Sequence, residues 1–120
     1  MDVVNVAKQI DARIKKLEEL TGKLDAAGDR KANAIADYDL AFAIAMAKIA
    51  FGKVNQIEGE QLPDNRPATV LTKYAAGACH KEKCELEIAT NLYKSLLTKI
   101  ETTSATLNAK QSIYRHLSHT

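Results

Sequence analysis

Between Leu86 and Leu117, apolar or small residues recur at Leu86, Ala89, Tyr93, Leu96, Ile100, Thr103, Leu107, Tyr114 and Leu117. Only Lys110 interrupts the alternating spacing of three and four. Such a heptad pattern places one narrow apolar stripe along a helix, and the stripe is stable only when a second helix covers it. The stretch contains no Pro and no Gly, so nothing within it ends the helix. A chain carrying this seam must fold around helix pairing.

The N-terminal third supplies a candidate partner. Val3, Ala7, Ile10, Ile14, Leu17, Thr21 and Leu24 follow heptad spacing, with Asp2 placed to cap the helix. Gly22 and Gly28 then disturb the pattern. Two readings are open: a break with Asp29 capping a new helix, or one continuous helix with a phase shift. The spacing favours continuity. Counting from Leu24, the seam resumes at Ile35 and proceeds through Tyr38, Phe42, Ala45 and Ile49, and the eleven-residue step is a stutter.

The clear boundary follows. Phe51-Gly52 weakens the helix end, and Gly59 to Pro67 is turn chemistry, with Pro63-Asp64-Asn65 as the turn. Pro67 suits the first turn of a second helix running from about Ala68 to Leu117, with Gly77 as its weak point. The alternating runs that mark strands are missing. Leu71, Ala75 and Ala78 open this helix, and from Ala78 to Ala89 is again eleven residues. One stutter in each arm, at similar heights about a fold near residue 60, is what an antiparallel pair needs to stay in register. The expected fold is therefore all-α: a single domain built as a long antiparallel helical hairpin, with arm one at about 3–51, a loop at about 52–67 and arm two at about 68–117. Eight alanines between Ala32 and Ala50 would let further helices approach closely. A homo-oligomer is expected, either a dimer or a four-helix arrangement of two hairpins.

Composition sets the limits. Aromatic residues are only 5 % and there is no Trp, so the core should be long and thin. The net charge of +2 comes from interspersed bases and acids, unlike the basic excess of a duplex-DNA binder. Met1-Asp2-Val3 opens with an acid and no apolar h-region follows, so no secretory signal is expected. The most apolar stretch, Leu40 to Phe51, is too short for a bilayer and is interrupted by Lys48. No membrane association is expected. Cys79 and Cys84, five residues apart, would point about 140° away from each other on a helix and cannot bridge within it. Free thiols fit a reducing cytosol, and the alternative is an intermolecular disulfide.

Candidate chemistry is sparse. Cys79-His80-Lys81-Glu82-Lys83-Cys84 holds three possible ligands, but zinc sites pair a Cys-x2-4-Cys turn with a second such element, and none exists here. His116 and His119 read as an exposed helix end whose charge suits the dipole. No nucleophile constellation, phosphate loop or paired carboxylates are apparent, and Asp37 and Asp39 do not share a helical face. Neither enzymatic activity nor a cofactor is expected. The C-terminal stretch stands out. From Asn91 onward the bases are Lys94, Lys99, Lys110 and Arg115, and the only acid is Glu101. With Tyr114 these residues are candidate contacts for a protein partner or for single-stranded nucleic acid, where cations and stacking rings combine. The bland alternative is that Tyr114 fills the seam and the bases serve the helix end.

Three stretches carry a resemblance: Ala36-Asp37-Tyr38-Asp39-Leu40-Ala41-Phe42-Ala43, Arg66-Pro67-Ala68-Thr69-Val70, and Leu107-Asn108-Ala109-Lys110-Gln111-Ser112-Ile113. From about residue 30 onward the chain resembles small helical-hairpin proteins of tailed bacteriophages and prophages, often encoded near recombination or single-strand-binding genes. The resemblance implies a non-enzymatic, phage-encoded accessory protein in the bacterial host cytoplasm, acting on a protein partner such as a host or defence factor. It brings no catalytic motif. Small secreted effectors with a Trp-x-Gly turn are set aside, because this turn reads Leu62-Pro63-Asp64-Asn65.

Overall fold

The computed structural model describes residues 2–52, 56–57, 59–62 and 67–119. The turn expected at Pro63-Asp64-Asn65 lies outside them. The described chain is all-α apart from one short ladder. Its elements are α1 (Val3–Ala50), β1 (Gln56–Ile57), β2 (Glu60–Gln61), α2 (Ala68–Ala78) and α3 (His80–Ser118). They form two compact units: a terminal unit, residues 1–29 with 91–120, and a middle unit, residues 30–90.

Asp2 caps α1 as expected: the Val4 amide donates to Asp2 Oδ1 at 3.1 Å. The helix then runs 48 residues without a break, through both glycines. Neither takes a left-handed backbone. Gly28 is half-buried, and a Cβ there would lie 3.5 Å from the Tyr93 ring, an ordinary contact.

The stripe that α1 buries differs from the one expected. Val6, Leu20, Ala27 and Ala34 are buried, with Val3, Ile10, Leu17, Leu24, Lys31, Tyr38, Ala41 and Ala45 half-buried. Every step is three or four once Arg13 is counted between Ile10 and Leu17. The stutter therefore does not exist. Ile35 is 40 % exposed and Ile14 39 % exposed, while the small Ala27 and Ala34 and the Lys31 stem occupy the seam. Large apolar side chains alone misplace the register here, because the two helices pack closely over alanine.

The second stutter is absent for the same kind of reason. Cys79 is buried and Ala78 exposed, so the seam runs Ala75, Cys79, Glu82, Leu86, Ala89 in steps of four and three. From Leu86 to Leu117 the expected seam holds, Lys110 included; Tyr114 is the one position classed as exposed. The antiparallel pairing rests on contacts rather than on matched phase shifts. In the terminal unit Leu20, Leu24 and Ala27 pack with Tyr93, Leu96 and Ile100, and Ala7 and Ile10 line one groove with Gln111 and Tyr114. Within the middle unit Arg30 meets Glu85 and Ile49 meets Ala75.

The middle unit contains a core thicker than composition suggests. Phe51 and Gly52 close α1 through amides donating to Ala47 and Ile49 carbonyls, with Gly52 at φ 71°. The ladder pairs Gln56 with Gln61 and Ile57 with Glu60. Gly59, at φ 81°, supplies the left-handed residue this tight connection needs. This correction to a strand-free reading has a local cause: three of the four ladder residues are exposed polar side chains, so no apolar alternation announces them. Leu62 then turns inward to join Ile49 and Ala75, surrounded by Phe42, Met46, Ile57, Leu71 and Tyr74. Pro67 is the N-cap of α2, accepting from the Val70 and Leu71 amides at 2.9 Å.

The expected second helix is interrupted at Cys79, two residues beyond Gly77. The interruption is shallow. The Cys79 amide donates to the Ala75 and Ala76 carbonyls, both at 3.2 Å, and its own carbonyl accepts from Lys83 at 3.0 Å. The His80 ring meets the loosened Gly77 carbonyl through Nδ1 at 3.2 Å.

Candidate functional site: a cationic groove in the terminal unit

The first sixteen residues carry Lys8, Arg13, Lys15 and Lys16 against Asp2 and Asp11. From residue 105 the chain adds Lys110 and Arg115 with no acid. Six bases against two acids thus belong to the paired helix ends of the terminal unit. The remaining residues carry eleven against thirteen. The surface charge is segregated, which the interspersed order in the sequence conceals.

Heptad register explains why these cations converge. Arg13 falls at the seam position between Ile10 and Leu17, and Lys110 at the one between Leu107 and Tyr114. Antiparallel pairing brings them together. Arg13, Lys16 and Lys110 line one groove with Gln9 and Ala12. Of these cations, Lys16 has Glu19 at 4.0 Å, and among the described residues no carboxylate lines the groove. Like charges meeting in a seam weaken the pair locally, and they leave a site suited to an anionic partner.

A second groove of about 500 Å³ is lined by Ala7, Ile10, Gln111, Tyr114 and Arg115. It has an apolar floor. The Tyr114 ring is 37 % exposed, and Arg115 Nε donates to the Gln111 carbonyl at 3.4 Å, which holds the guanidinium stem against its own helix. The first groove is cationic, and the second is apolar with an aromatic edge.

Of the candidates named from sequence, Lys110, Tyr114 and Arg115 enter these grooves. Lys94 and Lys99 are exposed and line neither. Five residues apart on a helix, they point about 140° away from each other and could not serve one site. Sequence reasoning missed Arg13 and Lys16, because the heptad series through Ile10, Ile14 and Leu17 passes over both positions. The available signal was the seam itself, where Arg13 is the α1 counterpart of the interruption already noted at Lys110.

The Cys79–Cys84 stretch separates into unlike parts. Cys79 is buried and Cys84 exposed, and both are free thiols. Burial raises the Cys79 pKa, and Glu82 adds to the effect. Among the described residues no group of three His, Cys, Asp or Glu could hold a metal ion. Asp37, Glu82 and Glu85 line a shallow groove with Ala34 and Lys81, and Glu85 is engaged by Arg30.

No protein-family model, curated protein or solved structure matches the chain.

Proposed function

We propose that this is a non-enzymatic interaction protein that acts through its helical surfaces on a protein partner, with the terminal unit as its binding end. The observation that carries the reading is the convergence of Arg13, Lys16 and Lys110 from two helices onto one groove. A groove lined by three cations from two helices fits an acidic segment of a partner, whose carboxylates meet those cations. No described helix is long and apolar enough to cross a membrane. The resemblance to phage helical-hairpin proteins supports an accessory role in a bacterial host cytoplasm, directed at a host or defence factor.

The test is affinity capture from a bacterial lysate by the wild-type chain and by the double variant Arg13→Glu/Lys110→Glu. A captured protein lost with the double variant, and displaced by an acidic peptide taken from it, supports the reading. Capture that ignores the substitution overturns this surface.

One observation favours a second reading. Tyr114 is partly exposed beside Arg115, and single-stranded nucleic acid uses such ring and cation pairs. Labelled oligothymidylate should then bind with steep salt dependence and weaken on Tyr114→Ala. No binding at low salt eliminates it.

A further inference from the structure

The acids nearest the cationic groove are engaged elsewhere. Gln9, Ala12, Arg13 and Lys16 fall within roughly a 100° sector of α1. Asp11, the one acid between positions 9 and 16, lies about 150° from the middle of that sector and holds Lys15 at 3.1 Å. Glu19 is 4.0 Å from Lys16 but 3.0 Å from Lys23. On α3, Glu101 lies nine residues from Lys110, about 180° around the helix. Among the described residues no carboxylate pairs with Arg13 or Lys110. The terminal unit thus pairs charges on its outer faces and leaves the three that meet over the groove nearly without counter-charge.

We infer that the groove takes the phosphoryl group of a phosphorylated side chain in the partner's acidic segment. The inference rests on the acidic-partner reading above and names the anion that anchors the segment. Three cations and the Gln9 amide line one hollow of about 540 Å³, with Ala12 as its small side chain. A single carboxylate brings one charge and two oxygens in one plane, so it leaves two cations unneutralised. Three carboxylates entering one hollow together would repel one another. A phosphomonoester brings roughly 1.5 to 2 negative charges on three acceptor oxygens. The Arg13 guanidinium suits two of those oxygens as a fork, and Lys16 and Lys110 act as point charges from the two helices. A phosphodiester carries a single charge, so a nucleic-acid strand gains less from each phosphate placed here.

Binding of such a group also changes the seam. Arg13 and Lys110 meet as like charges in the empty groove, and a dianion between them turns that repulsion into a bridge from α1 to α3. The ligand should therefore stabilise the terminal unit as it binds.

The probes are an acidic glutamate–glycine peptide with a central phosphoserine and the same peptide with a central glutamate, titrated calorimetrically into the full chain. The phosphopeptide should bind about tenfold more tightly near neutral pH. That advantage should shrink below about pH 6, where the phosphate loses its second charge. A histidine protonated on the protein would add positive charge and strengthen binding, so a loss in acid belongs to the ligand. Arg13→Gln and Lys110→Gln should each remove most of the advantage, whereas Lys15→Gln, whose lysine pairs with Asp11, should leave it unchanged. At matched ionic strength the phosphopeptide should raise the melting temperature of the wild-type chain and not that of Arg13→Gln/Lys110→Gln. Equal binding of the two peptides overturns the phosphoryl inference and leaves the acidic-partner reading standing. Binding of neither overturns both. An advantage that survives Arg13→Gln and Lys110→Gln overturns the assignment to this groove, as does oligothymidylate binding more tightly than the phosphopeptide through the same cations.

Discussion

Arg30 on α1 and Glu85 on α3 form a bidentate pair, with Nε to Oε1 at 2.7 Å and Nη2 to Oε2 at 3.0 Å. The hydrogen bonds from Arg30 hold the Glu85 carboxyl below the usual value of 4.5 and raise the Arg30 pKa. A carboxyl whose pKa is depressed on folding contributes stability that is fully present above the unfolded value and lost as pH falls through the lower folded one. Both side chains are solvent-exposed enough for screening to keep the contribution small. Glu85→Gln should lower the melting temperature slightly at neutral pH, and the difference from wild type should vanish below the carboxylate range. Thermal melts against pH check this. A gap that persists in acid, or that equals the gap for Arg30→Met/Glu85→Gln at high salt, would mean the pair is not its source.

Cys79 and Cys84 should react at very different rates. The thiolate is the reactive form, and burial with Glu82 nearby disfavours it at Cys79. Titration of the native chain with a thiol reagent near pH 8 should show one fast thiol, abolished by Cys84→Ser, and a second that appears only as denaturant opens the middle unit. Two fast thiols would show that the seam at Cys79 opens readily.

Three glycines should respond with different signs. Gly22 is exposed in mid-helix with open space where a Cβ would go, so Gly22→Ala should stabilise by about 1 kcal/mol. Gly28→Ala should be neutral to stabilising, because the added methyl meets Tyr93 at 3.5 Å without a clash. Gly59→Ala should destabilise by about 1 kcal/mol, because its φ of 81° strains any residue with a side chain. Denaturant midpoints compare the three, and a destabilising Gly22→Ala would count against an unbroken α1.

How much of this was legible before folding depends on side-chain size. The α3 seam was readable because Leu, Tyr and Ile mark nearly every turn of it. The α1 seam was half readable: Leu17 and Leu24 mark it, but Ala27, Lys31 and Ala34 continue it, and small or amphipathic residues announce nothing by themselves. Ile35 beside Ala34, and Ala78 beside Cys79, each offered a plausible but wrong register. The core of the middle unit was hidden because Leu62 sits in a polar stretch and becomes buried only when the Gln56–Gln61 ladder folds it back. The groove was hidden because it needs two seam cations from opposite ends of the chain.

The core of the middle unit gives a direct test of that hidden packing. Ile49 is almost fully buried, so Ile49→Ala should cost about 3 kcal/mol, within the usual range for such truncations. Leu62→Ala should cost about 2 kcal/mol, because it releases the loop from α1 and α2. Ile14→Ala should cost well under 1 kcal/mol, because Ile14 is 39 % exposed beside the seam rather than in it. Equal losses at Ile14 and Ile49 would restore the register in which Ile14 is a seam residue.

Arg13 and Lys110 bear on stability and function in opposite directions. Both occupy seam positions where an apolar residue would pack against the partner helix, and each adds positive charge beside the other. Replacing them with leucine should therefore stabilise the terminal unit, by on the order of 1 kcal/mol at the half-buried Lys110. Arg13→Leu/Lys110→Leu should at the same time weaken binding of the acidic partner or oligothymidylate at least tenfold and flatten its dependence on salt. A groove kept for binding at the expense of seam packing behaves this way. The measurement is a paired one, a denaturant midpoint and a binding isotherm on the same variants. If the leucine pair gains stability and loses no binding, the cations are incidental to function. If it loses stability, Arg13 and Lys110 are structural members of the seam through their aliphatic stems.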